Sequence, residues 1–293
     1  MTRSAVRLTG MRLTILERGH RRPVRLFFAT LTRLSRVDMS DVPKALLYRP
    51  EFAGRVMLEL SADTMRGPSY WTPAEREYLG MRVAKALQCP YCAVTHEELV
   101  RIAAAGPFTV SPELQATVAF VEQLTTGADP AVPTGLPDRA VVEAVRVAFM
   151  WNVINRLANA FDFQLRPGQL EKGTRSLHRF GYRFPRFVTG SLADTAREGL
   201  VDQLRHAVLE APARTAPQAR QAAASGGPLP EPLATYTTNV RNASYRIQDA
   251  DVERLTAAGY TEDTIYELTF AAAVGAAMAC WAACRYDERE RPT

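Results

Sequence analysis

Apolar residues recur at helical spacing along most of the chain, and no convincing series of alternating strand-like segments is found. The clearest helical stretches cover residues 140–160 and 264–283 and are rich in Ala, Val, Leu and Met. Apolar positions three and four residues apart form one stripe along a helix. The pattern therefore predicts an all-α fold.

Capping residues predict where two shorter helices begin and end. Residues 72–75 (Thr-Pro-Ala-Glu) combine a capping Thr, a first-turn Pro and a Glu three residues after the cap, and the helix they start runs to about Ala86. Pro90 disfavours helix at the preceding residue and suits the first turn of a second helix, which runs to about Ala105. We expect the two helices to form an antiparallel pair.

The second half of the chain resembles part of the first half. Residues 96–106 and 249–259 are similar at an offset of 153 positions, and both end in Ala-Ala-Gly, where Gly can take the left-handed position after a helix. A long apolar helix follows each copy. We interpret the chain as two pseudo-repeats, of which the second is degenerate because it lacks the cysteines and the histidine described below.

Composition and these repeats divide the 293 residues into four parts. Residues 1–40 form a basic leader, residues 41–211 the repeat that carries the chemistry, and residues 234–293 the second repeat. Residues 212–233 are rich in Ala, Pro and Gly, which block regular helix and offer little to bury, so we predict a linker or a surface excursion there.

Positive charge is concentrated in the leader. The net charge is +5, and nine arginines before residue 40 face only Glu17 and Asp38. We expect a solvated, partly disordered segment and no nucleic-acid partner, with contact to nucleic acid or to an anionic membrane as the alternative. No apolar run appears long enough to span a membrane or to form a signal-peptide core, so a cytoplasmic location is expected.

Cysteine usage excludes a secreted disulfide framework. The four cysteines lie in predicted helices, and the composition, at 47% hydrophobic and 23% charged, is that of a globular protein that folds without metal or disulfide. Cys280 and Cys284 match no site position in the first repeat. They are expected to fill a buried helix face as small apolar residues.

The strongest chemical signal is a Cys-x-x-Cys pair followed by a histidine. The predicted helix places Cys89 at the N-cap and Cys92 in the first turn, where partial positive charge and free N–H groups stabilise a thiolate. At least one sulfur is therefore expected to have a lowered pKa. His96 lies one turn beyond Cys92 on the same face, where it can accept the proton of that thiol.

A carboxylate on the preceding helix can complete this group. In an antiparallel pair, Glu77 lies about 15 Å and His96 about 9 Å from the connected ends, at 1.5 Å per residue. Glu77 is thus closer to His96 than to either sulfur, and we expect it to orient and polarise His96 in a proton relay. The alternative is a solvent-facing glutamate in a short charged run.

Zinc is the competing interpretation of Cys89, Cys92 and His96. Structural zinc normally takes four ligands, and no second Cys/His pair lies nearby in the sequence, so we predict no metal and no other cofactor. The remaining histidines lack ligand-like spacing and are expected to be surface or satisfied helical residues: His20, His178 and His206.

These residues resemble the alkylhydroperoxidase D and carboxymuconolactone decarboxylase superfamily. Its peroxidase branch is marked by Glu, eleven residues, then Cys-x-x-Cys-x-x-x-His. Four residues match this pattern in type and spacing: Glu77, Cys89, Cys92 and His96. The Ala-Ala-Gly ending and an apolar helix with Asn-Arg-Leu-Ala at 155–158 extend the resemblance over about residues 70–165.

The resemblance implies an alkylhydroperoxidase-D-like helical bundle without a tightly bound organic cofactor, assembled as a homo-oligomer. It implies that Cys92 attacks the peroxide oxygen, that Cys89 resolves the sulfenic acid to a disulfide, and that His96 and Glu77 relay protons. A lipoyl-like or thioredoxin-like dithiol, or another thiol, would reduce the pair.

Two features depart from the family pattern. Tyr91 stands between the cysteines, where some members carry a second His, and the C-terminal half is extended. The implied function is that of a thiol-dependent hydroperoxide reductase. The alternatives are an acid–base enzyme like the lactone decarboxylases, which need no thiol pair, and a non-catalytic redox-sensing or assembly protein.

Overall fold

The computed structural model describes residues 10–128, 130–190 and 199–283. The chain is all-helical in these ranges, as predicted. The α-helices are α1 (Ile15–Arg18), α2 (Arg22–Ser35), α3 (Asp41–Tyr48), α4 (Arg55–Arg66), α5 (Pro73–Ala86), α6 (Pro90–Ala104), α7 (Pro112–Thr126), α8 (Asp138–Phe161), α9 (Thr174–Phe180), α10 (Arg186–Thr189), α11 (Leu200–Leu209), α12 (Pro217–Ser225), α13 (Leu233–Ala243), α14 (Asp249–Ala257) and α15 (Glu262–Ala283). Two π-helical turns, Pro50–Gly54 and Gln169–Gly173, and a 3₁₀ turn, Ser244–Arg246, join some of them.

Helices α5 and α6 begin at the predicted residues. The side chain of Thr72 accepts a hydrogen bond from the N–H of Glu75, and Glu75 Oε2 accepts one from the N–H of Thr72 at 2.8 Å, which is a complete capping box. The chain leaves α5 through Gln88, whose φ of 51° lies in the left-handed region. This tight turn folds α6 back along α5.

The end of α6 differs from the prediction. Ala105, with φ of 50°, takes the left-handed position, and Gly106 does not. In the second half the corresponding position is held by Gly259, with φ of 90°. The two helices thus end at equivalent positions, Ala104 and Ala257, but the left-handed residue comes one position later in the second copy.

The two long apolar helices form the centre of the protein. Helix α8 is buried along most of its length and packs against α5, α7 and α15. By length and composition α15 could cross a membrane, but 67% of its apolar window is buried inside the protein, which fits a core helix. The site helices α5 and α6 thus rest on a core shared by both halves.

The prediction of a partly disordered leader is not met within residues 10–40, which are folded. Arg12 Nη1 donates to the carbonyl of Asn159 at 2.6 Å, which ties the segment to the end of α8. Its apolar side chains enter the core from the residues before α1, from α1 and from the amphipathic α2. Those that are fully buried include Met11, Leu13, Leu16 and Val24. Residues 1–9 lie outside the described part of the chain.

Residues 212–233 contain a helix, so the predicted block to helix formation is wrong for part of this stretch. Pro217 occupies the first turn of α12. Arg220 is fully buried and donates to the carbonyl of Val208 at 2.6 Å. Helices α12 and α15 approach so closely that a Cβ atom on Gly275 would lie 2.1 Å from the carbonyl oxygen of Ala224. Helix α12 therefore packs on the core through its inner face, while much of the rest of residues 212–233 is exposed.

The cysteine of α15 is less buried than expected. Cys280 is half-buried, and its Sγ lies 3.4 Å from the carbonyl oxygen of Ala276. Burial raises the pKa of its thiol. Cys284 lies outside the described residues.

Candidate functional site

The predicted contact between Glu77 and His96 is present at the centre of the helix pair. His96 Nδ1 lies 2.7 Å from Glu77 Oε2, and the two side chains are 1% and 0% exposed. Burial alone raises the pKa of a carboxyl group, but the hydrogen bond of His96 and the charge and hydrogen bond of Arg66 outweigh it and lower the pKa of Glu77. Glu77 is therefore an ionised acceptor that fixes the ring of His96.

Two side chains that the sequence analysis missed complete the environment of Glu77. Arg66, at the end of α4, donates to Glu77 Oε1 at 2.6 Å. The hydroxyl of Tyr182 donates to both carboxylate oxygens, at 2.9 and 3.0 Å. Burial and the charge of Glu77 raise the pKa of Tyr182, so this hydroxyl stays protonated and remains a donor. The buried carboxylate is thus fully paired, which a stable buried charge requires.

His178 lies beside this group. Its Nδ1 atom is 3.3 Å from Arg66 Nη2, and burial together with the charge of Arg66 lowers its pKa. His206 is exposed, as expected. His20 is neither a surface nor a helical residue, because it is buried in the loop between α1 and α2, with Nε2 2.8 Å from the carbonyl oxygen of Lys44.

The ring of His96 is held on its other side by Trp151 of α8. The two rings meet edge to face, with centroids 4.0 Å apart. Gly80 of α5 makes room for both, because a Cβ atom there would lie 2.8 Å from Trp151 Nε1 and 3.1 Å from His96 Cε1. A glycine inside a predicted helix is a signal of close approach that could have pointed to this contact.

The two thiols occupy different surroundings on α6. Both are free and buried, Cys89 at 1% and Cys92 at 2% exposure. Cys89 is the N-cap residue, as predicted, and its carbonyl accepts a hydrogen bond from the N–H of Ala93 at 3.0 Å. Cys92 borders an internal cavity, whereas Cys89 is not among the residues lining it. A small molecule in the cavity therefore meets Cys92 first.

Cys92 does not have the lowered pKa that was predicted for at least one of the two thiols. Burial raises the pKa of this thiol well above its usual value, and its interaction with Cys89 raises it further. The loss of water around the sulfur outweighs the favourable field of the helix N-terminus. A base is consequently needed to form the Cys92 thiolate at neutral pH.

The cavity has a volume of about 500 Å³ and leads to Cys92 and His96. Its walls are mostly apolar and come from seven parts of the fold: α2, residues 37–40, α3, α4, α6, α8 and residues 165–185. Cavities of this size are typical of small-molecule sites. The sequence analysis missed it, because most of these segments lie far from the motif in the chain.

Tyr91, the departure from the family pattern, forms part of the cavity wall. Its ring packs edge to face against Phe163, with centroids 5.7 Å apart, and burial raises the pKa of its hydroxyl. A phenol that stays protonated cannot accept a proton as a histidine would. This leaves His96, one turn beyond Cys92 on α6, as the candidate base for that thiol.

Metal binding has no arrangement to support it among the described residues. Within these ranges no group of three or more His, Cys, Asp or Glu side chains is placed to hold one ion. His96 directs Nδ1 to Glu77, which leaves Nε2 as its second ring nitrogen.

Comparisons of the chain with protein-family models, with curated proteins and with solved structures find no match.

Proposed function

We propose that the protein is a thiol-dependent hydroperoxide reductase of the alkylhydroperoxidase D type, active in the cytoplasm as a homo-oligomer. One observation carries the proposal: Cys92 and His96 line the same cavity, and the Nδ1 atom of His96 is hydrogen-bonded to the buried carboxylate of Glu77. A nucleophile, a base and a group that orients the base are the parts of an activated-nucleophile site.

The first step oxidises Cys92. His96 takes the proton of the Cys92 thiol, and Glu77 stabilises the imidazolium that forms. The thiolate attacks the terminal oxygen of the hydroperoxide, so the O–O bond breaks and an S–O bond forms. His96 returns the proton to the departing alkoxide, which leaves as an alcohol, and Cys92 becomes a sulfenic acid.

The second step uses Cys89. Its sulfur attacks the sulfenic sulfur of Cys92, so a disulfide forms and the hydroxyl leaves as water with the proton of Cys89. Cys-x-x-Cys spacing across the first turn of a helix suits this small ring. A thiol or a lipoyl-like or thioredoxin-like dithiol then gives two electrons and two protons, which restores both thiols and yields the oxidised reductant.

Hydroperoxide consumption with a dithiol reductant tests this function. Cys92→Ser and Cys89→Ser should both abolish turnover, whereas Cys280→Ser, a matched change outside the site, should leave it intact. In Cys89→Ser the sulfenic acid should persist on Cys92 and react with dimedone, which mass spectrometry detects. Wild-type rates in both site variants would refute the proposal.

The same variants separate the alternatives. An acid–base enzyme would keep its activity without either sulfur and lose it with His96→Asn. A redox sensor would form the Cys89–Cys92 disulfide once and change its assembly state, with no catalytic consumption of hydroperoxide. Either result would replace the peroxidase proposal.

A further inference from the structure

Two segments flank the cavity, and neither contains an acidic residue. Residues 18–37 contain no Asp or Glu and carry Arg18, Arg21, Arg22, Arg25, Arg33 and Arg36. Residues 172–190 likewise contain no acidic residue and carry Lys172, Arg175, Arg179, Arg183 and Arg186. All eleven of these cationic side chains are exposed. We call the two segments the rim.

The two halves of the rim meet at the cavity. Phe27 and Leu31 line it from α2, and Phe180 and Phe184 line it from the other segment. The rings of Phe27 and Phe184 contact each other, with centroids 6.5 Å apart. The rim is therefore one continuous, mainly basic surface beside the cavity that leads to Cys92, and the exposed acidic residues Asp38 and Glu171 lie at its ends.

Large apolar side chains project from this basic surface. Leu26 is 71% exposed, Leu34 77%, Phe180 63% and Phe187 65%. Helix α2 buries Val24 on its inner face, so Leu26 and Leu34 are not needed for its packing. Exposed leucine and phenylalanine among arginines are the pattern by which proteins bind the interface of a lipid bilayer.

We propose that the rim docks onto an anionic lipid bilayer and that an acyl chain of a lipid enters the cavity. Docking is argued from the rim alone. Entry of an acyl chain rests on the proposed function, since it identifies the substrate as a lipid hydroperoxide. Charge favours this partner, because each basic side chain near an anionic leaflet raises the affinity for the membrane by about a factor of five. A second copy of the chain would place arginines against arginines.

Vesicle co-sedimentation tests docking without any activity measurement. Wild-type protein should bind phosphatidylcholine vesicles containing about one third phosphatidylglycerol, fail to bind pure phosphatidylcholine, and lose binding as salt rises. Arg25→Gln with Arg33→Gln should weaken binding about 30-fold. Lys85→Gln with Arg139→Gln removes the same charge from exposed positions outside the rim and should have little effect.

The apolar part of the rim has its own variant. Leu34→Asp with Phe187→Asp should abolish vesicle binding and leave the melting temperature unchanged, because both side chains are exposed. Docking is overturned if neutral and anionic vesicles bind equally, if the two arginine pairs behave alike, or if duplex DNA binds more tightly than the vesicles. It is also overturned if these side chains only mediate self-association.

Two substrates test the acyl-chain half. The wild type should reduce phosphatidylglycerol hydroperoxide in vesicles, and Leu31→Trp, which narrows the cavity, should lower the ratio of that rate to the hydrogen peroxide rate at least tenfold. An unchanged ratio overturns acyl-chain entry. Vesicle binding without reduction of any hydroperoxide would overturn the proposed function and support docking. Hydrogen peroxide reduction without vesicle binding would overturn docking and support the proposed function.

Discussion

Adding one methyl group at Gly80 should uncouple His96 from its partners. In Gly80→Ala the new Cβ would stand 2.8 Å from Trp151 Nε1 and 3.1 Å from His96 Cε1, whereas ordinary contacts begin at 3.4 Å. The indole must therefore move by about 0.6 Å and the imidazole by about 0.3 Å, the differences between those distances. Neither ring can shift without disturbing the other, because they are packed edge to face.

The net effect on stability is small and the effect on the relay is larger. Overpacking costs about 1–3 kcal/mol, and replacing Gly by Ala in a helix returns about 1 kcal/mol. We expect a net loss of about 1 kcal/mol, which lowers the melting temperature by about 2–4 °C. Because proton transfer by a positioned base contributes about 10²–10⁴-fold, displacing His96 should slow peroxide reduction at least tenfold.

Thermal unfolding and steady-state peroxide reduction measure the two effects on one preparation. Gly106→Ala is the matched control, because no atom lies within 4 Å of the Cβ position at Gly106. It should change neither property. A Gly80→Ala protein that melts higher than the wild type and turns over at the same rate would show that the close approach does not position His96.

Three further changes probe other parts of the structure. Tyr182→Phe removes a donor to the buried carboxylate of Glu77 and should cost about 1.5–3 kcal/mol in urea unfolding, and an unchanged midpoint would contradict the hydrogen bond. Burial and Cys89 raise the pKa of Cys92, so alkylation of Cys92 by iodoacetamide should accelerate about tenfold per pH unit from pH 7 to 9. Cys89→Ser should move this profile to lower pH. A plateau below pH 8 in the wild type would contradict both expectations. Glu267→Gln disrupts a buried carboxylate that accepts from two backbone amides and two side chains, and should lower stability by about 3–5 kcal/mol without changing the alkylation profile.

The helix pair that carries the site was predictable because its signals are local. The cap at Thr72 and the proline at position 90 set the helix starts, and a simple rise per residue places Glu77 opposite His96. Arg66 and Tyr182 were not predictable. They reach Glu77 from positions 11 and 105 residues away, and no spacing rule links them to the motif.

The expectation of a lowered thiol pKa is not met at Cys92 for a related reason. The argument from the helix N-terminus uses neighbours in sequence, whereas burial depends on the packing of segments far along the chain. The basic leader is a different case. Val24, Phe27, Phe28 and Leu31 follow the i, i+3, i+4, i+7 spacing of an amphipathic helix, so α2 was visible in the sequence but obscured by its charge.

The close approach at Gly275 makes the half of the protein that lacks the Cys-x-x-Cys pair a mechanical support for the other half. Helix α15 is pressed between α12 and α8, and α8 carries Trp151, the side chain that steadies the imidazole. A bulkier residue at position 275 would push α15 toward α8 or away from it. Substitutions far from Cys89 and Cys92 can thus change the position of α8, and with it the contact between Trp151 and His96.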